Sequence, residues 1–158
     1  MAFNFNADDV FEIAEQIEKN GADFYNKASE NISDGRYKKL LLDLSRMEIE
    51  HKKIFSSMRF LLSEKEKEPA VFDPMNESVQ YLKALADMSV FYKKQVDTSK
   101  IETIFLDAIS MEKDSIVFYV GVKDLVPERL GKNKIENIIS EEKKHIKLLV
   151  DELLSLKK

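Results

Sequence analysis

Apolar residues recur at helical spacing in four long stretches of the chain, separated by short polar breaks. The first runs through Val10, Ala14, Ile17, Gly21, Phe24 and Ala28, and the second through Leu41, Leu44, Phe55, Met58 and Leu62. The third takes Ile101, Phe105, Ala108, Met111, Phe118 and Val122, and the fourth Ile135, Ile138, Leu149 and Leu156. A repeat of three and four residues marks one buried face of an amphipathic helix. Asp8 and Asp9 suit the start of the first helix, which should end near Asn31, where Asn31-Ile32-Ser33-Asp34-Gly35 reads as a tight turn. The second helix should reach about Ser63. Asp97-Thr98-Ser99 offers a cap for the third, which Pro127 ends beyond about Leu125; the fourth should start near Lys132.

Between the second and third helices lies the charge run Glu64 to Glu68, closed by Pro69, and residues 66 to 75 read as a linker. Ser78 to about Met88 forms a shorter helix with Val79, Leu82, Leu85 and Ala86 apolar, placed against the outside or the end of the bundle. Val90-Phe91-Tyr92 fits either a continuation of that helix or an extended piece on the core. The expected architecture is all-α: a single-domain four-helix bundle of two antiparallel hairpins, about 8–64 and 98–156, joined by a long crossover carrying a short extra helix.

The two hairpins repeat. A shift of 94 places Phe11 on Phe105, Ala14 on Ala108, Glu18 on Glu112, Phe24 on Phe118 and Tyr25 on Tyr119. The same shift places Glu48 on Glu142, His51 on His145 and Leu62 on Leu156, with no gap inside either hairpin. An internal duplication accounts for this economically. It also fixes heights. Glu18 and Glu48 are centred on residue 33 in the first turn, and Glu112 and Glu142 on residue 127, the proline of the second. At ~1.5 Å rise per residue each glutamate stands roughly 20 Å from its turn. Hairpins packed about a pseudo-twofold axis then bring all four carboxylates to one level, with His51 and His145 one turn farther out.

Each of these residues interrupts an apolar seam: Glu18 between Ala14 and Gly21, Glu48 and His51 between Leu44 and Phe55, Glu112 between Ala108 and Ser115, Glu142 and His145 between Ile138 and Leu149. Buried carboxylates without partners cost several kcal/mol each, so the core requires a compensating cation. Glu50 and Glu141 fall off the seam and read as solvated, and Met47, Met58 and Met111 as packing. Tyr25 and Tyr119, two turns beyond Glu18 and Glu112, either fill the core or hydrogen-bond a ligand carboxylate.

Composition narrows the chemistry. The 158 residues contain no cysteine, which excludes disulfides, zinc thiolates and iron–sulfur clusters. A donor set of carboxylates and imidazoles suits iron or manganese, and four glutamates balance a pair of divalent ions. With only 4 Gly and 3 Pro the chain has few turn signals, and its net charge of −4 gives no reason to expect nucleic acid or an anionic membrane as partner. The first residues lack a basic region followed by an apolar run, and no window approaches about 18 unbroken apolar residues, so a cytoplasmic location is the expectation.

Glu18 followed by Tyr25, Glu48 with His51, Glu112 followed by Tyr119, and Glu142 with His145 together resemble the ferritin-like superfamily, and within it the rubrerythrin-like di-iron proteins. The resemblance implies that Glu48 and Glu142 bridge two iron ions, with Glu18, Glu112, His51 and His145 as terminal ligands. It implies reduction of peroxide or dioxygen, with electrons from a separate donor protein. Rubrerythrins typically add a glutamate three residues after the third-helix ligand, where this chain has Ser115, and commonly carry a four-cysteine rubredoxin-like domain, for which this chain has no cysteines. The ligand count is nearer to bacterioferritin-type sites. Ferritin-type iron oxidation and storage, which demands a large hollow assembly, and a metal-stabilised interaction module are the rival functions. A homodimer is compatible with the reduction reading.

Overall fold

A computed structural model of the protein describes residues 6–68, 77–90 and 97–158. Five α-helices are described: α1 (Ala7–Glu30), α2 (Gly35–Phe60), α3 (Glu77–Val90), α4 (Ile101–Val122) and α5 (Glu128–Ser155). The start of α1 is set by reciprocal capping. Asn6 Oδ1 accepts from the Asp9 backbone N–H at 2.9 Å, and Asp9 Oδ2 accepts from the Asn6 N–H at 3.0 Å. The side chain of Asn6 also donates to the Lys67 carbonyl at 2.7 Å, tying the start of the crossover to the bundle. Asn31 closes α1, and Asp34 caps α2 by accepting from the Arg36 N–H at 2.9 Å.

Several boundaries differ from the sequence expectation for identifiable reasons. The helix α2 stops at Phe60, and the charge run continues as a short 3-10 turn, Lys65–Lys67. Glu66 in that run is more than solvated linker: its carboxylate pairs with Arg129, whose guanidinium also donates to the Leu61 carbonyl at 3.1 Å. Asp97 does not cap α4. It accepts from the Ser99 N–H at 3.0 Å, while Thr98 Oγ1 accepts from Asn31 at 2.6 Å, and the helix begins after an extended Lys100 with no side-chain cap. Most of the expected linker and residues 91–92 lie outside the described residues.

The fourth long helix starts at Glu128, earlier than Lys132, but its first turn is broken at Gly131, where φ is +142°. Only glycine adopts that conformation without strain, and an added Cβ would also sit 3.0 Å from Lys134 Cδ. Gly131→Ala should therefore cost about 1–3 kcal/mol, which thermal unfolding would register as a fall of roughly 2–4 °C per kcal/mol in a chain of this size.

Helices α1 and α2 pack along each other as one hairpin and α4 and α5 as the other; α1 meets α4 and α2 meets α5 across the bundle. The core divides into two apolar halves. One gathers Phe11, Phe55 and Met58 from the open end of the first hairpin with Phe118, Ile135 and Ile138 from the turn end of the second. The other gathers Ala28, Leu41 and Leu44 from the first turn with Ile104, Phe105 and Leu149 from the open end of the second. The hairpins therefore lie head to tail, as a pseudo-twofold axis across the bundle requires. Helix α3 lies against α4 and α1, with Leu82 and Ala86 buried. Its approach is close because Gly121 has no side chain: a Cβ there would stand 2.7 Å from Leu82 Cδ2.

Candidate metal centre

Between the two apolar halves lies a polar layer, built from Glu18 on α1, Glu48 and His51 on α2, Glu112 on α4, and Glu142 and His145 on α5. All six are buried, none more than 3% exposed. Helical geometry explains the pairing on α2 and α5, since a glutamate and a histidine three residues on share one face. Gly21 explains how Glu48 fits. A Cβ at that position would come within 3.1 Å of Glu48 Oε1, so the glycine leaves the carboxylate its room.

The six residues form two overlapping groups. Glu18, Glu48, His51 and Glu142 can present donor atoms within 4.8 Å of one another, and so can Glu48, Glu112, Glu142 and His145. Glu48 and Glu142 belong to both groups; the others belong to one each. His51 Nδ1 lies 3.0 Å from Glu142 Oε1, 3.4 Å from Glu48 Oε2 and 3.5 Å from Glu18 Oε2. His145 Nδ1 lies 3.1 Å from Glu142 Oε2 and 3.4 Å from Glu112 Oε1. The two imidazoles stand with centroids 6.0 Å apart and planes 18° from parallel.

Both tyrosines reach across the bundle. Tyr25 of the first hairpin donates to Glu112 Oε1 of the second, and Tyr119 of the second donates to Glu18 Oε1 of the first, each at 2.6 Å. The bonds orient the unshared glutamates and leave their second oxygens facing the centre. Removing one hydroxyl leaves a buried carboxylate oxygen without its donor, which costs about 1–3 kcal/mol. Tyr119→Phe should lower metal-free stability by that amount in urea denaturation, and Tyr25→Phe by a similar amount.

The electrostatics call for positive charge. Burial first, then the neighbouring Glu142, raises the Glu18 carboxyl above its usual range, and burial with Glu18 raises Glu48 well above it. Burial raises Glu142 to about 8, aided by Glu112 and Glu48. Glu112 goes the other way: burial alone would raise it, but hydrogen bonds from Glu142 and His145 hold it below its usual value. Burial alone would lower His145, yet Glu112 and Glu142 hold it up at about 10, and His51 is raised by Glu142, Glu18 and Glu48 in the same way. Glu48 Oε2 and Glu112 Oε2 are buried with no hydrogen-bond partner among the described residues, as oxygens aimed at a cation would be. Donor type, burial and unpartnered oxygens all fit a pair of metal ions.

The sequence profile of the family described as rubrerythrin matches residues 9–153, nearly the whole chain. The chain belongs to the rubrerythrin family. Its backbone is also similar to a crystal structure from Thermotoga maritima provisionally described as a ferritin-like diiron-carboxylate protein, with a TM-score of 0.71 over 97% of each chain and 24% sequence identity. That likeness establishes the ferritin-like fold. Among curated proteins, none matches the chain in sequence.

Two off-seam glutamates part company within this rubrerythrin-family bundle. Glu50 is exposed and pairs with Lys53 at 3.0 Å, as a solvated residue should. Glu141 is different. Although its side chain is 45% exposed, its Oε2 lies 2.5 Å from Nε2 of His51, so the expectation of a purely solvated residue is corrected. Hydrophobic periodicity missed it because the residue stands at the rim of the buried face, and the 94-residue repeat hid it because its counterpart is Met47. The signal available was adjacency, an acidic residue directly before the Glu142 that begins the Glu-x-x-His pair.

Proposed function

We propose that this protein is a non-haem di-iron carboxylate oxidoreductase that reduces peroxide or dioxygen. The observation that carries the reading is the sharing of Glu48 and Glu142 between two otherwise separate groups of buried donors. In this reading Glu48 and Glu142 would be shared by the two ions, Glu18 with His51 would hold one, and Glu112 with His145 would hold the other. Iron suits the donor set, and manganese is the other metal of matching preference. A pair of ferrous ions, when bound, supplies the two electrons that convert peroxide and two protons to two waters.

The chain's own residues provide the setting. Tyr25 and Tyr119 fix Glu112 and Glu18, so that these carboxylates keep one oxygen for the metal. Phe55 and Tyr119 on one side, and Tyr25 with Leu44 on the other, are essentially inaccessible to solvent and limit water around the centre. Electrons would return from a separate donor protein, and a cytoplasmic setting suits such an exchange. Among the described residues, no helix is long and apolar enough to cross a membrane.

The test is stoichiometric. Anaerobic protein loaded with ferrous iron should oxidise a pair of ferrous ions per peroxide added, faster than iron in buffer, and should return to the ferrous state with an artificial donor. Protein that accelerates no oxidation overturns the reading. Protein that oxidises iron but accumulates it in a large hollow assembly, seen by size exclusion, would transfer the reading to storage, with iron as substrate.

A further inference from the structure

The repeat makes the two hairpins equivalent, but the surroundings of the two histidines are not. His51 presents Nδ1 to Glu142, Glu48 and Glu18, while its Nε2 meets Glu141 Oε2 at 2.5 Å. His145 presents Nδ1 to Glu142 and Glu112, while its Nε2 is buried with no hydrogen-bond partner among the described residues. The counterpart of Glu141 in the first hairpin is residue 141 − 94 = 47, a methionine. A thioether is at best a weak acceptor, so Met47 cannot do for His145 what a carboxylate does for His51.

We propose that Glu141 is a positioning residue that makes the His51 half of the centre the tighter metal position, so that the pair fills in order, the His51 half first. A carboxylate on Nε2–H fixes the tautomer whose Nδ1 lone pair faces the metal, holds the ring in place and makes it a stronger donor. Among the described residues, His145 has neither aid. Glu48 and Glu142 belong to both donor groups, and each unshared glutamate is held by a tyrosine at the same 2.6 Å, so group membership and the tyrosine bonds do not distinguish the halves. The acceptor on the histidine does. Glu141 also stands partly in solvent, 45% exposed beside a His51 that is 2% exposed, so it marks the side from which the His51 half is nearest to water.

This inference rests on the di-metal reading above, and the experiment separates the two. Crystals grown without metal are soaked with substoichiometric manganese(II), and anomalous scattering gives the occupancy of each position. The wild type should fill the His51 position preferentially. Loss of such a histidine partner typically weakens metal binding about 10–100-fold, so Glu141→Met should bring the two occupancies close together. Met47→Glu should do the same from the other side, by strengthening the His145 position. Glu141→Gln, which keeps an acceptor oxygen without the charge, should fall between wild type and Glu141→Met and serves if the methionine variant does not fold. Equal filling in the wild type, or an occupancy ratio unmoved by Glu141→Met and Glu141→Gln, overturns the proposal while leaving the di-metal centre intact. A wild type that binds manganese at neither position overturns both.

Discussion

Glu48→Gln should lose both metal ions while leaving a fold that, without metal, resists alkaline pH better than the wild type. Glu48 is common to both donor groups, and its Oε2 is one of the buried oxygens without a partner. An amide of the same shape removes the charge and turns N–H donors toward the cations, so neither position keeps its bridge. For the wild type, metal at about a thousandfold over its dissociation constant adds about 4 kcal/mol to stability, or roughly 8–16 °C in a chain of this size. That increment should vanish in Glu48→Gln. The metal-free effect follows from the raised Glu48 carboxyl, caused by burial and by Glu18. The folded state holds this proton more tightly than the unfolded chain, so stability is lost as pH rises toward the folded value. Glutamine has no proton to lose. Elemental analysis after anaerobic loading, with melting curves in the presence and absence of metal, reads both effects. A variant that retains a pair of ions would remove Glu48 from its bridging role. Glu18→Gln offers the contrast, since Glu18 belongs to one group and its loss should spare the His145 position.

The reach of the sequence in this protein follows from the strength of each signal. Four helices were legible because a buried face repeats its apolar residues over 22 to 28 positions in α1, α2, α4 and α5, long enough for the period to be unambiguous. The polar layer was legible because duplication states each of its residues twice. Glu18 alone resembles any helical glutamate; Glu18 with Glu112 at the same distance from a turn does not. Failures came where single contacts decide the outcome. Whether Asp97 caps α4 depends on where Thr98 and Ser99 point, and the Asn31–Thr98 bond spans 67 residues of sequence. Glu66 looked like one charge in a solvated run until Arg129 was placed beside it. Glu141 is the instructive case, because it breaks the repeat that revealed everything else. Symmetry found what the two halves share, and was blind to a contact that distinguishes them.

Metal-induced stabilisation should grow as pH rises, because the metal-free protein loses stability with pH while the metal-loaded protein is spared that loss. Without metal, Glu142 is raised by burial to about 8. His145, which burial alone would lower, is held at about 10 by Glu112 and Glu142. Unfolded reference values are about 4.3 for Glu and 6.5 for His. Both folded values lie above these, so the folded protein binds more protons between them and loses stability with rising pH. For Glu142 the window runs from the unfolded carboxylate value up to about 8, and for His145 from the unfolded imidazole value up to about 10. The windows overlap across neutrality and add. Metal removes this loss, since it needs Nδ1 and the carboxylates free of protons and binds more tightly as they are lost. Anaerobic melting curves with manganese(II) or with a chelator, from about pH 6 to about pH 9, should show a gap that widens by at least about 2 kcal/mol, or roughly 4–8 °C. Ordinary charge repulsion predicts something else. General repulsion among the charges of a protein of net charge −4 at neutral pH lowers both curves together and leaves the gap unchanged. A constant gap would mean that protons on the exposed surface, rather than those held by Glu142 and His145, govern the response, and that the buried layer does not exchange its protons for metal.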